Sequence, residues 1–491
     1  MKLNLGFGSY TPYSIQPASR RLVNLFPEMV EQDGGKSRTA LYGTPGLTTR
    51  VTLADSTTGL IKALFYDTFT GRMFAVKLRT DASVRLSELT TVTLPFDTET
   101  DRGQLAASGG TSVPASISSN GTQLLIINPE STETAHSFVL ATNTLASETA
   151  DIGNQEPRWG QFLDGYFIAL DNNGKIYLSA LNDGTTWDVL DVATPESSPD
   201  KARMILADHN ELAIFGDESV EFWYNFGNAD FPFKPVKQAT IQEGVLFPYS
   251  VAAIDNAFFY VARGRNGRAI VRKVSGYRPE RVSTHAVESS IQNLGTISGA
   301  SPVAWTYQIH GHNFYKLTFP SNSLTWVYDV SLPPEIGWHE EVYLNGSTEE
   351  AHRGRCGAYA GGVNGAADAY LVGDRGSGKI YITSMDVYTD AGDSIRREIR
   401  TQHLSNELKR MFFDRIELEV EPQAGTWTLE ESDTGGSSFG TAVNGAANYS
   451  NKQRLWTRRG SSRDRVMRFR TTAAVKQVVI DGYGKIAYGL H

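Results

Sequence analysis

Cysteine is nearly missing from this chain. Cys356 is the only one in 491 residues, so no intramolecular disulfide can form, and nothing points to folding in an oxidising compartment. Long apolar runs are missing as well. No stretch of about eighteen or more apolar residues occurs, which argues against a membrane-spanning helix. The opening Met1-Lys-Leu-Asn-Leu-Gly-Phe-Gly-Ser-Tyr has too short an apolar core for a secretion signal, and a soluble protein not exported by that route is expected. Positive charge is in deficit: 46 Lys and Arg face 54 Asp and Glu, leaving a formal charge of -8. That balance excludes a protein whose main task is gripping nucleic acid by its phosphates, which needs a broad basic surface. Helical periodicity is scarce too. Its best instance is Thr284 to about Gln292, with Thr284 placed to cap the first turn and Ala286, Val287 and Ile291 forming one apolar face.

What fills the chain is short strands. Glu211-Leu-Ala-Ile-Phe-Gly, Val220-Glu-Phe-Trp-Tyr and Ala257-Phe-Phe-Tyr-Val-Ala are rich in aromatic and β-branched residues and bounded by Gly, Asn or Asp, as hairpins require. Gly-Lys-Ile-Tyr occurs twice, at Gly174–Tyr177 and Gly378–Tyr381, each time as a turn glycine opening a strand. Strands returning at this spacing are the signature of radially repeated sheets that hide their edges in a ring. The expected fold is all-β: a β-propeller-like central domain over 49–395, a smaller β-sandwich-like domain over 396–491, and an irregular arm over 1–48. The arm, punctuated by Tyr10-Thr-Pro-Tyr, Phe26-Pro-Glu and Gly43-Thr-Pro-Gly, is expected to lie on another surface, its own or a neighbouring subunit's. Ser394 to about Phe412 is charged and reads as a connector.

Motifs that could carry chemistry are weak. Gly373-Asp-Arg-Gly-Ser-Gly-Lys379 fits a P-loop until Ile380 replaces the magnesium-binding Ser or Thr, and Lys379-Ile-Tyr-Ile-Thr enters a strand where a helix is needed. Asn182-Asp-Gly-Thr-Thr-Trp187 resembles the Asp-box of sialidase-like propellers, with Asn182 where that pattern has Asp; such a turn fastens a blade and is no active site. His310 and His312, read as sharing one strand face, could chelate a metal with His352 and Cys356, but no acidic partner stands near them in sequence. No catalytic, cofactor or metal residue is nominated.

The strongest charge feature runs through Arg454, Arg458, Arg459, Arg463, Arg465, Arg468 and Arg470. Met467 and Phe469 share one strand face while Arg468 and Arg470 share the other, so an apolar side backs a cationic ribbon expected to be exposed. Three readings compete: a solvated face, pairing with carboxylates of a neighbouring subunit, and contact with DNA phosphates. In an acidic chain carboxylate partners are favoured, and a protein interface is expected there.

Several segments together resemble the packaged-DNA stabilisation proteins of short-tailed bacteriophages, also called tail hub or nozzle proteins. These are Leu22-Val-Asn-Leu-Phe-Pro-Glu, Leu41-Tyr-Gly-Thr-Pro-Gly-Leu, Leu212-Ala-Ile-Phe-Gly-Asp-Glu-Ser-Val-Glu-Phe-Trp, His312-Asn-Phe-Tyr-Lys-Leu-Thr-Phe-Pro with Trp326-Val-Tyr-Asp and Trp338, and Arg454-Leu-Trp-Thr-Arg-Arg-Gly-Ser-Ser-Arg. Residues 76–160 match nothing in that pattern and read as a phage-specific insertion. The resemblance implies a non-enzymatic virion component made in the host cytoplasm, without cofactor, that forms a homohexameric ring below the portal and its adaptor protein. It would extend the DNA channel, touch the genome only transiently, help retain it, and carry a plug or needle and lateral spikes or fibres. The rival from another class is a propeller-type glycan hydrolase or lyase, motivated by the Asp-box-like turn and the abundant aromatics.

Overall fold

The computed structural model describes residues 1–489 except 12, 31–38, 56, 92–94, 130–133, 154, 196–199, 229–230, 265–268, 296, 298–300, 362–367, 408, 423–424 and 449. The protein is all-β, and its central part is a propeller. Five four-stranded antiparallel sheets follow one another along the chain, over 60–106, 116–147, 157–193, 202–235 and 252–281. Two larger sheets complete the ring. One begins with the meander Val303–Ile309, His312–Phe319, Leu324–Asp329 and Trp338–Glu340; the other holds Gly354–Ala360, Ala369–Asp374 and Lys379–Ser384.

Two-sided burial explains why these strands read as nearly continuous apolar runs. In Ala257–Arg263, Phe259 and Val261 pack toward the next sheet while Phe258 and Tyr260 pack toward the previous one. Leu124 and Ile126 likewise face one neighbour, and Leu125 and Ile127 the other. The period is still two; both faces are simply dry. The described part of 76–160, expected to be an insertion, forms parts of ordinary sheets of the ring. The expected helix is found at His285–Gln292, with the Thr284 hydroxyl accepting from the amide of Val287.

The described part of 1–48 is not irregular. It carries strands at Arg21–Val23, Leu25–Met29, Thr39–Gly43 and the start of Gly46–Thr52. Gly46–Thr52 pairs antiparallel with Lys379–Ser384 and closes the ring. Arg21–Val23 lies between Trp338–Glu340 and Arg397–Arg400, extending a propeller sheet into the C-terminal unit. Asn24, at φ +51°, then turns the chain into a second sheet, and its carboxamide holds both the amide and the carbonyl of Val342 at 3.0 Å. Strands this short, with proline inside one of them, show no period that could be read without their partners.

The C-terminal unit is two packed sheets. One continues from Arg397–Arg400 through Asp464–Thr471 and Thr428–Ser432; the other runs Leu25–Met29, Thr39–Gly43, Val478–Tyr488, Met411–Val420 and Gln453–Thr457. Trp427, Trp456, Met467 and Phe469 fill the space between them, joined by Leu3, Leu5, Leu22, Leu25 and Leu41 from the N-terminal segment. The charged stretch expected to be a connector therefore holds a central strand, Arg397–Arg400, whose charges are matched across the sheet.

Candidate functional site

That matching defines an extended ion-pair network at the junction of propeller and C-terminal unit. Glu398 stands opposite Arg470 and Arg400 stands opposite Arg468, while Arg468 also faces Glu430 on the other side. The Glu398 side chain is fully buried and meets Arg470 at 2.7 Å, Arg400 at 3.5 Å and Arg21 at 3.7 Å. Arg21 reaches Glu340 at 2.8 Å on the propeller side and Glu349 at 3.1 Å. Arg470 also contacts Glu430 at 3.3 Å, and Arg468 binds that same carboxylate. Burial would push the Glu398 carboxyl up, but Arg21, Arg470 and Arg400 hold it below the usual carboxylate range. Burial would likewise lower Arg21, and the carboxylates of Glu340 and Glu398 more than reverse it.

The arginine segment is thus only partly as expected. Met467 and Phe469 are buried as the period predicts. Arg468 and Arg470 are not an exposed ribbon: they are half-buried and already bound to carboxylates of their own chain. Arg459 grips Glu431 through Nε at 3.0 Å and Nη2 at 2.5 Å, and Arg465 grips Asp433 at 2.8 and 3.0 Å while stacking on Phe413. Arg454 is buried and donates to the carbonyls of Gly425, Asn451 and Gln453. Arg458 and Arg463 are exposed. The carboxylate chemistry read from the sequence is present, but its partners are intramolecular because the acidic strand Thr428–Ser432 pairs with Asp464–Thr471 in register. Sequence reasoning missed Arg21, Glu398 and Glu430, whose charges looked like ordinary solvated positions.

The remaining motifs resolve into structure. Gly373–Lys379 is the turn between two strands; the Gly376 amide donates to Asp374 at 2.7 Å, and Arg375 pairs with Glu350 at 2.7 Å. No helix N-terminus receives a phosphate there. Lys379→Ala should leave the melting temperature and assembly unchanged and confer no loss of nucleotide binding; equilibrium dialysis with labelled ATP, showing binding that the substitution abolishes, would reverse this reading. In the Asp-box-like turn, Asp183 and not Asn182 is the fastener. The hydroxyl and amide of Thr185 hold its carboxyl down to about 2. Gln123 of the preceding sheet donates to Asp183 at 3.2 Å and accepts from the Gly184 amide at 2.7 Å, so the turn ties two blades together.

His310 and His312 do not share a strand face. Ile309 pairs with His312, and His310 and Gly311, both at positive φ, form the two-residue turn between them. His312 donates to Asp329 at 2.6 Å and meets Glu28 through its other nitrogen; burial opposes its charge, but the two carboxylates raise its pKa. Burial holds His352 down to about 3 and pushes the Cys356 thiol up to about 12. No cluster of His, Cys, Asp and Glu fit for a metal occurs among the described residues.

The bore of the propeller holds a small cavity. This cavity, of about 220 Å³ and on the axis, is lined from six of the seven sheets of the ring and from Tyr249 and Val251 just ahead of the other, with Lys62, Trp159, Met204, Trp305 and Arg355 among its walls. Trp159 and Tyr249 pack ring to ring at 5.9 Å, and the Arg355 guanidinium donates to the carbonyl of Ser112.

Comparison with protein families matches residues 1–388 to the family described as Bacteriophage P22 Gp10, beta-propeller. Comparison with curated proteins finds no match. Among solved structures, similarity extends to the N-terminal domain of Nup159, 10% identical over 75% of this chain and 99% of that one, TM-score 0.39. It extends also to the β-propeller domain of Myceliophteria thermophila Cps50, 10% identical over 69% and 99%, TM-score 0.41. The computationally designed Ika8 protein is 11% identical over 68% and 99%, TM-score 0.35.

Proposed function

This chain belongs to the bacteriophage P22 Gp10 β-propeller family, matched over residues 1–388, and from that membership we propose that it is a structural tail hub or nozzle protein of a short-tailed phage. It forms a ring of six below the portal and adaptor, extends the DNA channel, helps retain the packaged genome, and carries the plug or needle and the spikes or fibres. It acts in the virion and performs no catalysis. The observation that supports this reading best is the family match over residues 1–388. On the propeller axis Trp159, Tyr249 and Trp305 line a cavity of only about 220 Å³, too little room for a DNA duplex, so a DNA path must lie between subunits. A propeller whose axis is too narrow for DNA serves as a wall. The net charge of -8 fits the same role, since a wall that bound phosphates tightly would slow the exit of DNA. The division into 1–48, 49–395 and 396–491 is retained as a proposal for limited proteolysis to check, although the N-terminal strands join sheets of both larger parts.

Native mass spectrometry of the purified protein, alone and with portal and adaptor rings, tests the proposal. A sixfold ring, or a sixfold layer on the adaptor, is expected, and phage particles lacking the protein should lose packaged DNA. A protein that stays monomeric under both conditions and cleaves capsular or cell-wall glycan would overturn it.

A further inference from the structure

The first strands of the propeller sheets meet one another around the axis, and in four of them a β-bulge falls near the start. The extra residue is Lys62 in Leu60–Asp67, Arg158 in Pro157–Leu163, Arg203 in Ala202–Asp208 and Arg355 in Gly354–Ala360. All four are basic. Each four-stranded meander, like the hairpin Val342–Asn345 with Thr348–Ala351, returns the chain to the end at which it began, so the four bulges share one end of the axis. A bulge re-aims its side chain.

The axial cavity of about 220 Å³ lies at that end, with Lys62 and Arg355 in its wall beside Trp159, Met204 and Trp305. No Asp or Glu is among the described residues of the wall. Arg203 is engaged by Asp217 at 2.8 Å, and Lys62 donates to the carboxamide of Asn128. Arg355 differs from both. It is 5% exposed, its Nη2 donates to the uncharged carbonyl of Ser112, and its Nε has no partner among the described residues. Nη1 makes no hydrogen bond with a described residue and, unlike Nε, is not sealed from water, which leaves it as the open edge of the guanidinium. Burial lowers Arg355 to about 10, and the groups that act on its charge are a thiol, Cys356, and a phenol, Tyr249, with no carboxylate. Arg355 is therefore a cation at neutral pH without a counter-charge, which is costly unless an anion supplies one.

We propose that the axial cavity binds a small monocarboxylate, its carboxylate on Arg355 and its apolar body against Trp159, Met204 and Trp305. A planar guanidinium recognises a carboxylate, and the apolar walls suit a short hydrocarbon body. Inorganic phosphate fits less well, because among those rings its remaining charged oxygens would be left without water or partner. Arg158 and Arg203 at the same end add positive potential that draws an anion in. The site lies on the single chain and does not depend on ring assembly.

Calorimetry and ligand-observed NMR on the full chain test the site, with butyrate as probe beside butyramide and inorganic phosphate at constant ionic strength. Butyrate should bind at least about tenfold more tightly than butyramide, its neutral counterpart, and should raise the melting temperature of the wild type. Arg355→Met should lose both the preference and the thermal shift. Arg355→Lys, which keeps the charge but not the planar edge, should keep a preference smaller than that of the wild type. Equal binding of butyrate and butyramide by the wild type would overturn the site, and so would an Arg355→Met variant that still prefers butyrate. Should Arg355→Met fail to fold, the wild type and Arg355→Lys decide between them. Tighter binding of phosphate than of butyrate would overturn the monocarboxylate as the occupant.

Discussion

Glu398→Ala is expected to lower the free energy of unfolding by about 3–5 kcal/mol, the cost of leaving buried ions without their counter-charge. Arg21, Arg400 and Arg470 all converge on this one fully buried carboxylate. Each arginine lost singly would cost less, because Glu398 keeps its other partners and Glu430 keeps either Arg468 or Arg470. The sign of the pH dependence follows from the depressed carboxyl. Its contribution is complete above the unfolded value of about 4.3 and is lost as pH falls through the folded one, so the gap between wild type and variant should narrow in acid. Urea unfolding at neutral pH and at pH near 3 measures both. A loss below about 1 kcal/mol at neutral pH would mean that the ladder behaves as a surface network. The same geometry changes what alanine at Arg459, Arg468 and Arg470 should do: it loosens the C-terminal unit first, and assembly only through it.

Lys316→Met should be comparably severe, at about 3–5 kcal/mol, for a different part of the molecule. Lys316 Nζ sits 2.5 Å from Glu341 with both side chains almost wholly buried, and its ammonium lies 4.8 Å from the ring of Trp305. Tyr307 donates to the same carboxylate at 3.4 Å, with His352 at 3.5 Å and His339 at 3.8 Å. Burial would raise the Glu341 carboxyl, but the Lys316 charge holds it well below the usual range, and removing that charge strands an ion in the core. The double variant Lys316→Met with Glu341→Leu should recover most of the loss, since a buried pair exchanged for apolar side chains is often neutral. Thermal and urea unfolding of both single variants and the double variant give the coupling. Additive losses would mean that the two groups do not depend on each other.

Some features were legible because they are local. The strand character of Ala257–Arg263 and Leu212–Gly216, the capped helix after Thr284 and the burial of Met467 and Phe469 all follow from the spacing of residues within one element. The all-β class and the family resemblance rest on such runs. Period also placed Arg468 and Arg470 together on one face, as found. What it could not supply was what stands opposite. Glu430 is 38 residues from Arg468, and Arg21 is 319 residues from Glu340. A charged residue on a strand looks the same whether water or a buried carboxylate faces it, so the ribbon read as exposed and 394–412 as a connector. The arm read as irregular for a related reason: Arg21–Val23 and Leu25–Met29 are too short to show a period, and Arg21–Val23 becomes a strand only between partners some 300 or more residues away, while Leu25–Met29 becomes one beside Thr39–Gly43. The amino-acid sequence by itself determined which residues form strands and which side of each strand is apolar, because those depend on neighbours one or two positions away. Only the tertiary structure decided which strands lie side by side, and with them the buried Glu398 ladder and the cavity on the propeller axis, because register between distant segments is set by closure of the ring and the sandwich together.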